Sequence, residues 1–116
     1  MSPTQRGDAS DQGKAKLFAI NYHPKAVGDL ERSIIFYDNR QPGLGLRFIR
    51  IYERTISHIR TNPTTWKKDN RGRYRIGLRK FPFIVIYRIV DGEIYILAIA
   101  HTSKRPGYWI HRDQNQ

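Results

Sequence analysis

Two apolar runs, Ile84 to Val90 and Glu93 to Ala100, meet at Asp91-Gly92. Asp-Gly is a pair that the two-residue hairpin turn favours, because both of its central residues need positive φ. A hairpin this apolar reads as core. It ends abruptly in His101-Thr102-Ser103-Lys104-Arg105-Pro106-Gly107-Tyr108-Trp109-Ile110-His111-Arg112. A core strand that runs into cations and aromatic rings reads as one delivering a functional edge. Cations beside rings suit a polyanion, and a nucleic acid in particular because its bases can stack. The alternative is a tail whose aromatics pack and whose cations are solvated.

The rest of the chain supplies partners for that hairpin. Leu17 to Tyr22 reads as a short strand, and His23-Pro24 as a helix start, since proline suits the first helical turn. Val27, Leu30, Ile34 and Tyr37 recur at three- and four-residue steps and form one apolar stripe. The glycine- and proline-rich segment from Asn39 to Gly45 breaks the helix. A second helix follows, with Leu44, Phe48, Ile51, Tyr52, Ile56 and Ile59 on one face, and Asn62-Pro63 ends it. Arg47, Arg50, Arg54 and His58 fall largely elsewhere and read as a solvated stripe. Thr64 to Gly72 reads as a loop. The period then drops to two: Tyr74, Ile76 and Leu78 alternate with Arg73, Arg75, Gly77 and Arg79. The apolar set should face the helices, and the arginines, joined by Arg88, should share an open basic face. The expected fold is α+β in the order β-α-α-β-β-β, a helical hairpin packed on a mostly antiparallel sheet.

Size and charge narrow the function. The 116 residues allow one domain with a modest core. Residues 1–16 are polar and without periodicity, so they read as a flexible tail; residues 17–112 read as the domain and 113–116 as a second tail. No apolar run approaches the roughly 20 residues that span a bilayer. The start of the chain lacks the apolar core of a secretory leader. With no cysteine, disulfides and thiolate metal sites are excluded, which fits a reducing, cytoplasmic setting. Lys and Arg number 21 against 10 Asp and Glu, a net charge of +11, with the densest run at residues 67–80. Such a charge points to an anionic partner: nucleic acid, a membrane surface or an acidic protein.

In order and spacing, the chain resembles the RelE/ParE superfamily of bacterial type II toxin–antitoxin toxins. The resemblance rests on Tyr22-His23-Pro24 with Asp29-Leu30, on Tyr37 before Arg40-Gln41-Pro42-Gly43-Leu44-Gly45, and on Arg47-Phe48 and Asn62-Pro63. It continues through Arg79-Lys80-Phe81-Pro82-Phe83, Tyr87-Arg88 and His101 to Arg112. It implies a small basic toxin neutralised by a cognate acidic antitoxin. Two amphipathic helices and an exposed sheet edge would offer that antitoxin a groove and a strand-pairing site. The resemblance also implies one of two activities. RelE-like members cut mRNA in the ribosomal A site; ParE-like members block DNA gyrase without being nucleases. The expectation here is ribosome-dependent mRNA cleavage, the alternatives being gyrase inhibition or an inactive antitoxin-binding member.

Cleavage by the 2′-OH route needs a base, an acid for the leaving oxygen, and cations for the charge that builds on phosphate. It needs no metal or other cofactor, and the four histidines lack a zinc-like spacing. His101, Arg79 and Tyr108 are the expected catalytic residues. Arg73, Arg75, Arg88, Lys104 and Arg105 are the expected phosphate-binding set, because guanidinium pairs with phosphate bidentately. RelE-like nucleases often carry lysines on the central strand, or a carboxylate beside a C-terminal histidine. Here that strand has arginines only. Arginine is a poor proton acceptor, with a pKa above about 12, which leaves His101 or Lys104 as base.

Overall fold

Asp91 and Gly92 adopt φ of 52° and 77°, as the two-residue turn requires. They join the two longest strands of a computed structural model that describes residues 17–113. In chain order the elements are β1 (Ile20–Tyr22), α1 (Pro24–Arg40), α2 (Leu44–Thr61), β2 (Lys67–Lys68), β3 (Tyr74–Gly77), β4 (Phe83–Val90) and β5 (Glu93–His101), then a 3-10 turn at Ile110–Arg112. The sheet order is β1-β5-β4-β3-β2. β1 runs parallel to β5, and every other neighbour is antiparallel. The expected α+β class and mostly antiparallel sheet are therefore found. The expected tail at 1–16 and residues 114–116 of the one expected at 113–116 lie outside the described residues.

The helical hairpin packs on one face of the sheet. Phe48 is its centre, with ring centroids 5.1 to 5.4 Å from Tyr37, Phe81 and Phe83. Deeper along α2, the hydroxyls of Tyr22 and Tyr52 pair at 2.6 Å, and burial with this bond pushes the Tyr52 phenol far above its usual range. The second-helix stripe is observed: Phe48, Tyr52 and Ile59 are buried, and Ile51 and Ile56 pack against them. The α1 stripe is rotated from the expected one. Leu30, Ile34 and Tyr37 pack inward, but Val27 is exposed, and Ala26, Asp29 and Ser33 are buried instead. Small Ala26 and Ser33 let α1 approach the sheet closely, and buried partners satisfy Asp29.

The structure corrects three local expectations. Only Ile20–Tyr22 of the first strand pairs, because the Phe18 N–H turns away to the Arg60 carbonyl at the end of α2. Lys67–Lys68, expected in a loop, pairs with β3 as an edge strand. Leu78 and Arg79 leave β3: the Leu78 N–H bonds Phe83 O at 2.9 Å and Lys80 takes a φ of 68°, so Arg79 sits in a turn.

A bulge in β5 governs the side-chain phase. Ile86 pairs with Ala98 and Tyr87 with Ile96, which leaves Leu97 as the extra residue. Leu97 and Ala98 both join the cluster on the sheet's second face, while Ile94, Ile96 and Ile99 all join the core under the helices. Beyond the bulge the alternation is therefore reset by one residue.

Candidate functional site

The second face of the sheet was expected to be open and basic. It is covered by the segment from Arg105 to Asp113, which crosses it as a strap. Trp109 is buried there against Ile86, Leu97, Ala98 and Ala100, with Tyr108 at its side. Two buried ion pairs hold the strap down. In the first, Arg112 donates to Asp29 of α1 at 2.7 Å and to the Leu97 carbonyl at 3.1 Å. Asp29 also accepts the Ile99 N–H at 3.1 Å. The pair thus satisfies the outer edge of β5 beyond the point where β1 stops. In the second, Asp113, expected to open the tail, is 2% exposed and accepts from Arg88 at 2.8 Å. The Arg73 guanidinium lies 3.7 Å from the same carboxylate.

Arg73 and Arg88 are consequently not presented to a ligand as expected. Arg73 is buried, bonds Asp69 at 2.9 Å and lies over the Trp109 ring at 5.1 Å. Burial pushes the Asp69 carboxyl up, but bonds from the Arg73 and Arg71 N–H groups and the Arg73 guanidinium outweigh it, leaving it below the usual carboxylate range. Arg88 is turned to Asp113 and the Arg71 carbonyl. The physical reason is the same for both: three acidic or carbonyl partners wait within the fold for cations that periodicity alone places in solvent.

Beside the strap lies a cleft of about 240 Å³. It brings together six of the eight expected site residues: Arg75, His101, Lys104, Arg105 and Tyr108, with Arg73 as part of its wall. No Asp or Glu lines it. Arg79 is not among them, since it borders a separate depression with His58 and Trp66 beneath α2. A second groove, of about 670 Å³, runs along α1 on the other side of His101, Lys104 and Tyr108 and is bounded by Arg32, Phe36 and Phe83.

His101 belongs to the ridge between the two openings. Because of the bulge it lies on the helix side of the sheet, edge-on to Phe83 at 5.0 Å, rather than on the second face. Its Nδ1 receives the Ser103 N–H at 3.0 Å and the Ser103 hydroxyl at 2.7 Å. A backbone N–H can only donate, so Nδ1 carries no proton and the neutral ring holds its proton on Nε2. The free side of the ring is therefore a donor. Burial, with the Asp29 carboxylate, raises the Tyr108 phenol above its usual range despite the cations of Arg112 and Arg32, so it too stays a donor. The Lys104 ammonium lies 5.5 Å over the Tyr108 ring. The titratable side chains of the cleft are thus cations or donors, without a bare base.

Asp29, Ser103 and Asp113 were missed as site-shaping residues. A signal existed for Asp29, since it falls between Ala26 and Leu30 at helical spacing, and an acid on an apolar stripe demands a cation. Nothing in the sequence pairs it with Arg112, 83 positions away.

Two solved structures share this architecture. A chain of the chromosomal ParDE toxin–antitoxin system from P. aeruginosa superposes with a TM-score of 0.66, covering 75% of this chain and 98% of its own at 19% identity. The E. coli toxin RelE, in the free state with two arginines replaced by alanine, gives 0.56, covering 76% and 86% at 11% identity. The fold is that of the RelE/ParE superfamily toxins. No curated protein matches the sequence. The model for the ParE toxin of the type II toxin–antitoxin system parDE matches residues 20–106, and the chain belongs to that family. It is a ParE-like toxin of a type II toxin–antitoxin system.

Proposed function

We infer that this toxin stops growth by binding DNA gyrase and does not cut RNA. One observation supports the reading above others: the cleft that gathers His101, Lys104 and Tyr108 offers donors and cations, while the ring acceptor of His101, Nδ1, is already taken by Ser103. Attack by a 2′-OH starts with removal of its proton, and stabilising cations do not replace that step. A surface of donors and positive charge serves binding instead. The ParE family assignment agrees with a gyrase target. In this reading a cognate acidic antitoxin neutralises the toxin in the bacterial cytoplasm, and the +11 charge steers the two together.

A second reading, ribosome-dependent mRNA cleavage, is favoured by the convergence of six expected site residues on one cleft, with His101 as acid through Nε2. One paired experiment separates the two. Purified toxin is titrated into a gyrase supercoiling assay and, in parallel, into a reconstituted translation system whose mRNA 5′ ends are mapped. Inhibited supercoiling with intact mRNA is the expected result. Ribosome-dependent cuts inside codons with unimpaired supercoiling overturn the gyrase reading and establish the second.

A further inference from the structure

Arg79, one of the expected catalytic residues, stands instead on the lining of a depression of about 250 Å³ beneath α2, together with Arg54 and His58. Arg54 and His58 lie four residues apart on α2 and so project side by side. Arg79 comes from a separate element, the turn set by the Leu78 N–H bond to Phe83 O and the positive φ of Lys80. All three are exposed, and among the described residues none of their side chains makes a hydrogen bond or ion pair. No Asp or Glu lines the depression, and Glu53, the one acid of α2, is not on it. The opening is therefore basic without internal compensation.

The sheet leaves this space because β2 pairs only with Tyr74 and Arg75, so Ile76 and Gly77 of β3 have no strand beside them on that edge. Ile51, Trp66 and Ile76 form a half-buried apolar wall. The Thr55 hydroxyl is turned to the Ile51 carbonyl at 3.1 Å and offers nothing to a ligand. The Trp66 indole N–H is different: it is buried and has no acceptor among the described residues, whereas buried donors nearly always have one. A bare inorganic anion would use the cations and leave the wall wet. A neutral apolar molecule would cover the wall and leave the cations as they are. A carboxylate carried on a flat ring does both, since guanidinium pairs with carboxylate bidentately and the indole takes the ring. Its oxygen is also the kind of acceptor that Trp66 lacks. The volume falls just under the roughly 300–1,000 Å³ of drug-sized sites, so the ligand is small.

We propose that this depression is a binding site for a small aromatic carboxylate, with the carboxylate among Arg54, His58 and Arg79 and the ring against Ile51, Trp66 and Ile76. The site is separate from the cleft beside the strap and rests on neither reading of the toxin's target.

The test is a titration of isotope-labelled toxin with naphthoate, read from the indole N–H signals by NMR. Trp66 and Trp109 are the only tryptophans and pack into clusters on opposite faces of the sheet, so the two signals report the two faces. Trp66→Phe assigns them. The Trp66 signal is expected to shift saturably with a Kd of about 1 mM or tighter, the affinity of so small a ligand at ordinary efficiency. The double variant Arg54→Ala, Arg79→Ala is compared with Arg47→Ala, Arg50→Ala, which removes the same charge from exposed positions nearer the start of α2. None of these four side chains has a partner among the described residues, so neither double variant removes a contact of the fold. The first is expected to weaken binding at least about tenfold, since bonds to charged groups are lost, and the second less than about twofold. Neutral naphthamide, of the same shape, should bind at least about tenfold more weakly. Equal losses in the two double variants would show only the chain's overall charge and overturn the proposal. So would a Trp109 signal that moves in place of Trp66, equal affinity for naphthamide, or no shift of Trp66 up to about 10 mM.

Discussion

Replacing Asp29 by alanine should be among the most costly single changes in the molecule, and its cost can be worked from three contacts. Asp29 is the charge partner of Arg112, the acceptor for the Ile99 N–H and a neighbour of Arg32. The Arg112 and Asp29 side chains are 6% and 5% exposed, so removing the carboxylate strands a guanidinium away from water. Breaking a buried pair from one side costs about 3–5 kcal/mol. Orphaning the Ile99 N–H adds about 1–3 kcal/mol. The Arg32 side chain is 71% exposed, and its pair adds little. Asp29→Ala is thus expected to lose at least about 4 kcal/mol from a total that is typically about 5–15. Asp29→Asn is the sharper probe. It keeps an oxygen for Ile99 and loses only the charge, so about 3 kcal/mol should go, or a fall in Tm of more than about 10 °C for a domain this size. Urea unfolding followed by the fluorescence of Trp66 and Trp109 measures both variants. A double-mutant cycle with Arg112→Met should return a coupling of at least about 2 kcal/mol. If Asp29→Asn stays within about 1 kcal/mol of the parent, or the coupling vanishes, the buried-lock reasoning is refuted.

Asp113→Ala should cost less, about 2–3 kcal/mol, because Arg73 keeps Asp69 and Arg88 keeps the Arg71 carbonyl; thermal unfolding checks this, and an unchanged Tm would count against a buried Asp113. Gly45→Ala places a Cβ 2.8 Å from the Ile34 carbonyl and 3.0 Å from Asp38 Cβ, where α1 and α2 approach. Overpacking against backbone should cost about 1–3 kcal/mol, and a variant as stable as the parent would show that the hairpin opens freely. His23 gives a pH prediction. Burial, helped by the cations of Arg112, Lys25 and His111 and opposed by Asp29, holds its imidazole below the ordinary 6.5. The unfolded chain then binds the proton more readily, so this contribution is fully present above about 6.5 and is lost as pH falls toward the folded value. His23→Gln should therefore flatten the acid side of the stability profile, and identical slopes in parent and variant would refute the assignment.

The fold was largely legible because its signals are local. Asp91-Gly92, Pro24, Pro42-Gly43 and the changes of period each specify a turn or an element within a few residues of themselves. The candidate site was half legible. Arg75, Lys104, Arg105, His101 and Tyr108 do meet in one cleft, since four of them follow one another at the end of β5. Arg79 and Arg88 do not join them, and Arg73 reaches the wall only with its guanidinium already engaged, for two different reasons. Arg79 was lost to a positive φ at Lys80, an ordinary lysine with no turn signature. Arg73 and Arg88 were lost to Asp69 and Asp113, and period-2 alternation carries no information about a strap that returns across the sheet. Asp29 and Arg112 illustrate the general limit: each looks like a surface residue until the other is placed beside it.

The bulge at Leu97 has a consequence for how the scaffold can vary. Strict alternation from Ile94 would send His101 to the strap's side and bring Ala100 under the helices. One additional residue exchanges those assignments. The bulge absorbs one residue: with Leu97 deleted, Ala98 would follow Ile96 in regular alternation, and Ile99, Ala100 and His101 would keep the sides they hold now. What would deliver the histidine among the cations of the cleft is the same sequence paired without the bulge, one residue out of step with β4.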